Sequence, residues 1–130
     1  MRLELEQKLM SEFTFMQARN MGTEKLLDFP MPCSCGDGWF NLIYELCKDI
    51  QIELGKLPSA FTNGFFVVQV KEKFGTLRFY VSYGNQKIFR LIEDAEAVSA
   101  TVCEECGDIG ELRGEYWVRT LCDKCDGKRN

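Results

Sequence analysis

The sequence predicts an α+β fold: two helices, a β-hairpin and a third helix packed together, followed by a small cysteine-bearing module. Three observations carry this expectation. Apolar residues recur at a helical period in three stretches. Over residues 65–83 they alternate instead, the signature of half-buried strands. Beyond residue 101 two Cys-x-x-Cys pairs, Cys103/Cys106 and Cys122/Cys125, stand fifteen residues apart.

The first helix is expected over residues 1–20, where Leu5, Leu9, Phe13 and Met16 form one stripe, with Gly22 placed to cap it. Residues 21–38, with Pro30 and Pro32, read as a linker ending in the turn Cys35-Gly36-Asp37-Gly38. A central helix follows over about 38–55, capped by Asp37 or Gly38. Its stripe of Phe40, Ile43, Cys47, Ile50 and Leu54 is wide enough for the core.

In the hairpin, Phe66, Val68 and Val70 alternate with Val67, Gln69 and Lys71, and Leu77, Phe79 and Val81 with Arg78 and Tyr80. The turn is expected around Lys73-Phe74-Gly75. The third helix, 86–101, carries the stripe Ile88, Leu91, Ile92, Ala95 and Val98 and puts Glu93, Asp94 and Glu96 in water. It runs straight into Cys103, so residues 1–101 are expected as the core domain and 102–130 as a module rigidly attached to it.

Four thiolates at that spacing are the donor set of a tetrahedral zinc site, with a short hairpin through Gly114-Glu115 bringing the two pairs together. The fold expectation is therefore α+β with a C-terminal zinc ribbon and Zn²⁺ on Cys103, Cys106, Cys122 and Cys125. Two disulfides or four free thiols are the alternatives. A closed four-thiolate site leaves no position for water or substrate, so its role is structural.

Composition narrows the function. The start of the chain has acids and no apolar core of a signal, and no apolar run approaches a membrane span, so the expected location is cytoplasmic. Seven cysteines in a reducing compartment favour metal over disulfides. The chain contains no histidine, which removes His general bases and Ser-His or Cys-His dyads. No catalytic residue is assigned. Net charge is −4, and four thiolates on a divalent ion bring it to about −6. That balance weighs against generic phosphate binding.

Two further sets are candidates. Cys33, Cys35 and Cys47 form a candidate second metal or redox cluster, against the plainer reading of one packed helix thiol and two turn thiols. Lys71, Lys73, Arg78 and Tyr80 form a candidate nucleic-acid face on the hairpin, against the plainer reading of a solvated sheet.

Three segments carry a resemblance: Cys35-Gly36-Asp37-Gly38-Trp39-Phe40-Asn41-Leu42-Ile43, Val70-Lys71-Glu72-Lys73-Phe74-Gly75-Thr76-Leu77-Arg78-Phe79-Tyr80-Val81, and Cys103-x-x-Cys106-Gly107 with Leu121-Cys122. In that order, over roughly residues 30–126, the chain resembles a family of small uncharacterised bacterial and prophage proteins. The resemblance implies a phage or mobile-element setting and a host macromolecule as target; it supplies no activity or catalytic residue. The expectation is a non-enzymatic zinc-containing interaction module, a phage-encoded regulator or inhibitor that binds a host protein in the host cytoplasm, with a homo-oligomer as a further option. The alternative is a nucleic-acid-binding accessory protein that adds Arg113, Trp117 and Arg119 of the ribbon to the hairpin face.

Overall fold

The computed structural model describes residues 1–129. Helix α1 (Leu3–Glu12) leads through a 3₁₀ turn (Thr14–Met16) into β1 (Gln17–Arg19), β2 (Leu26–Pro30) and β3 (Cys33–Ser34). A second 3₁₀ turn (Asp37–Trp39) opens α2 (Phe40–Leu54), followed by the short α3 (Ser59–Asn63). Then come β4 (Val67–Lys73), β5 (Thr76–Val81) and α4 (Gln86–Ser99), and last β6 (Glu111–Arg113), β7 (Arg119–Leu121) and α5 (Asp123–Asp126). The architecture is α+β, with the expected helices, hairpin and cysteine-bearing ribbon.

One core unites the body. Ile43, Leu46, Cys47 and Ile50 of α2 meet Val67, Val70, Leu77 and Phe79 of the sheet and Ile88, Ile92 and Ala95 of α4. The sheet has the order β3-β4-β5, with β3 parallel and β5 antiparallel to β4. Its turn, Phe74-Gly75, holds both residues at positive φ (53° and 85°), the two-residue connection whose twist suits a hairpin.

The expected helix over 1–20 is corrected. α1 stops at Glu12, and Phe13 is extended (φ −130°, ψ 107°). Phe13 and Phe15, two apart, stack at 5.6 Å, a strand-like arrangement. Leu9, Phe13 and Met16 are buried as the stripe required, but the last two enter the core from non-helical backbone. Tertiary burial outweighs propagation of a helix that an aromatic-Thr-aromatic run supports poorly. Gly22 caps nothing; the Asn20 side chain accepts from the backbone N–H groups of Gly22 and Thr23 instead.

The linker over 21–38 is also corrected. It supplies β2, which pairs antiparallel with β1, and β3, which pairs with β4. α2 has no side-chain cap; the Asp37 carboxylate turns to Arg2, 2.9 Å away. In β4, Val67 and Val70 are both buried although three apart. A bulge between Val67 and Gln69 resets the alternation that the sequence suggested.

Glu96 is not simply in water. It accepts from the Phe79 N–H at 3.0 Å, and the buried Ser99 hydroxyl accepts from the Leu77 N–H at 2.9 Å. α4 thereby occupies outward amides of β5, which would otherwise be a bare sheet edge.

Candidate metal centre and its seat in the body

The ribbon positions its sulfurs through two short elements. Cys103 and Cys106 flank a knuckle closed by Gly107 N–H donating to Cys103 O at 2.9 Å, with Gly107 at φ 86°. Cys122 caps α5, its sulfur accepting from the Cys125 N–H at 3.4 Å. The β6–β7 hairpin, with Arg113 opposite Arg119, holds the two pairs together.

The four sulfurs fit a tetrahedral ion. All lie within 4.8 Å of one another, and Cys106 Sγ is 3.7 Å from Cys122 Sγ. Sulfurs about 2.3 Å from a zinc ion stand about 3.8 Å apart, against about 2.05 Å in a disulfide. All seven cysteines are unbridged. Burial opposes ionisation of Cys103, but backbone N–H groups of Cys122, Cys106 and Glu105 outweigh it and lower the thiol to about 7. Burial pushes Cys125 up to about 12, helped by hydrogen bonds shared with the other three sulfurs. The four thiols thus crowd a space that suits a cation.

What sequence reasoning missed is how the ribbon is seated. The turn Gly36–Trp39 meets the knuckle backbone to backbone. Gly38 N–H donates to Glu104 O at 2.7 Å, and Trp39 Nε1 donates to Val102 O at 2.8 Å. A Cβ on Gly38 would fall on the carbonyl oxygens of Cys103 and Glu104, and one on Gly36 on Glu104 O. Glu104 itself is buried; its Oε2 accepts from Gly36 N–H at 2.9 Å and its Oε1 lies 3.3 Å from Arg119 Nη2. On the other side, the Thr120 hydroxyl donates to Gly75 O at 2.7 Å. The turn 36–39, the sheet turn at Gly75 and the cysteine knuckle therefore converge on one seam. A Gly-x-Gly-Trp run placed before a helix was the signal that could have found it.

Compared with known proteins, the chain matches no family model, no curated protein and no solved structure.

The other predicted residues fall as follows. Cys33 and Cys47 lie in the core and Cys35 beside it, and among the described residues they form no group like the ribbon's. Burial is the first cause that pushes Cys33 and Cys47 up, and it takes Cys35 up to about 12. Lys71, Arg78 and Tyr80 share the outer sheet face, with Lys73 beside the turn. Arg113 and Arg119, which the nucleic-acid alternative added to the hairpin face, are engaged by carboxylates: Arg113 by Asp123 at 2.7 Å, Arg119 by Glu105 at 2.6 Å. Among the described residues no helix is long and apolar enough to cross a membrane.

Proposed function

We propose that the protein is a non-enzymatic interaction module whose four cysteines hold a structural Zn²⁺ and whose ribbon, 102–130, is fixed on the body, 1–101, to present a protein-binding surface. The observation that carries this reading is the exposure of large apolar side chains on two adjoining turns, the ribbon hairpin and the sheet turn. Tyr116 is 100% exposed, Phe74 72%, Trp117 61% and Leu112 49%. Leu112 and Val118 press against Gly75, which brings the Phe74 turn and the ribbon hairpin side by side. Arg119 and Arg129 lie over the Trp117 ring, 5.6 and 5.1 Å from its centroid. Tyr, Trp, Phe and Arg are the residues that interface centres concentrate. Single exposed apolar residues are ordinary, but four large ones on two adjoining turns favour a contact site.

Four thiolates complete the coordination of zinc and leave it no open position, which supports a structural ion over a catalytic one. In the phage or mobile-element setting that the resemblance implies, the partner is a host protein and the role that of a regulator or inhibitor in the host cytoplasm. The test uses the zinc-loaded chain as bait beside a Tyr116→Ala/Trp117→Ala variant. A host protein retained by the first and lost by the second, with far-UV circular dichroism and melting temperature unchanged, supports the reading. Equal retention by both, or a chain that only self-associates through the patch in sedimentation, overturns it.

A further inference from the structure

A second surface, which adjoins the first where the Lys73 ammonium lies over the Phe74 ring, occupies the outer face of the β3-β4-β5 sheet. Its centre is a like-charge pair. Lys71 on β4 and Arg78 on β5 are Cα partners, so the two cations stand directly across from each other. Like charges in that position destabilise a sheet unless something neutralises them. Nothing in the fold does: among the described residues no carboxylate lies within 4.0 Å of Lys71, Lys73 or Arg78. The nearest acid in sequence, Glu72, is engaged elsewhere, its Oε2 accepting from Gly75 N–H at 2.7 Å. Arg78 Nη1 reaches only as far as Leu77 O, at 3.5 Å, the limit of hydrogen-bond range.

An aromatic sits in the same row system. Tyr80 pairs with Gln69 two rungs along the ladder, on the same face, and is 42% exposed. The Lys71 ammonium lies 5.9 Å from the centre of its ring. On the far side, Ser34 of β3 is the Cα partner of Lys71, so a hydroxyl, an ammonium and a guanidinium form one line across three strands. Lys73, two residues on from Lys71, extends the cationic row by about 7 Å along β4. The ribbon arginines, by contrast, already have carboxylate partners.

We propose that this face binds single-stranded nucleic acid, with Lys71, Arg78 and Lys73 on successive phosphates and Tyr80 stacking an unpaired base. The chemistry is that of sheet-face and groove readers of single strands: cations follow the backbone, and a sequence-tolerant aromatic face takes the base. A duplex offers Tyr80 no free base face. The net charge of −4 repels phosphate from the rest of the surface, so attachment is confined to this patch and is salt-sensitive.

The test is fluorescence anisotropy of a 5′-labelled twelve-nucleotide oligo-dT, and of a labelled duplex of equal length, with the zinc-loaded full chain. Oligo-dT should bind at low salt and outcompete the duplex. Its log affinity should fall with log salt at a slope of about −2, set by about 0.7 per phosphate contact for three contacts. Lys71→Glu with Arg78→Glu should abolish binding. Tyr80→Ala should weaken it on the order of ten-fold, as loss of one stacked base does. Lys56→Glu, on the loop after α2, should change little. Should the double glutamate variant not fold, Lys71→Gln with Arg78→Gln must still flatten the slope toward about −0.7. No anisotropy change at low salt, equal affinity for the duplex, or indifference to the glutamine pair overturns the proposal. Displacement of oligo-dT by equimolar oligoglutamate also overturns it, and would assign the face to an acidic protein segment.

Discussion

Gly38 is the position where a single atom matters most. Its Cα faces the carbonyl oxygens of Cys103 and Glu104, neither of which belongs to a flexible side chain. Overpacking against backbone forces the seam apart, and Gly38→Ala should cost about 1–3 kcal/mol, measurable as a lowered denaturant midpoint at unchanged m-value. Trp39→Phe tests the same seam from the donor side. It leaves Val102 O without its indole partner and should cost about 1–3 kcal/mol in the same assay. The buried thiols make a pH prediction. Burial holds Cys33 and Cys47 above the ordinary thiol range, so the folded state keeps protons that the unfolded chain releases. That stability is complete below about pH 8.5 and declines as pH rises further. Urea midpoints between pH 8 and 10 should fall less steeply for Cys47→Ala than for the unaltered chain.

At the scale of elements, legibility followed periodicity. α2 and α4 have stripes that run their whole length, and the structure places them within one or two residues of where the stripes predict. The stripe of 1–20 is equally regular, yet its second half enters the core from the extended Phe13 and a 3₁₀ turn, because burial of Phe13, Phe15 and Met16 does not depend on α-helical backbone. β3, two residues long, had no local signal; it exists because β4 offers it a partner. The four ribbon cysteines were legible because tetrahedral coordination constrains spacing directly. Their seat was not, since it is made of backbone carbonyls and the absence of a Cβ. The helix α4 also acts through Glu96, which the periodic reading assigned to water, and through the buried Ser99. Ser99→Ala would strand the Leu77 N–H in the core and should cost about 1–2 kcal/mol, with faster hydrogen exchange along β5 as the specific readout.

For the whole molecule, the candidate metal site and the body are coupled. Val102 and Glu104, on either side of the candidate ligand Cys103, accept from Trp39 and Gly38, so a change at the four-cysteine site reaches the body. Structural zinc in small modules contributes on the order of 10 kcal/mol, comparable to the entire stability of a domain this size. Chelation should therefore lower the melting temperature of the full chain and, in a Trp117→Phe background that leaves Trp39 as the one tryptophan, shift emission to the red. Elemental analysis of the purified protein should find one zinc per chain. A Cys103→Ser/Cys122→Ser variant should reproduce both effects without chelator. If emission and melting were indifferent to the ion, the seam would be independent of the metal.

The hydroxyl of Ser99 and the carboxylate of Glu96 fill amide positions that an incoming strand would need. Growth of the sheet by docking an extended peptide along β5 is therefore barred at those two rungs. Whatever engages the sheet must come down onto it from above, like a hand on a table, rather than slide in beside it.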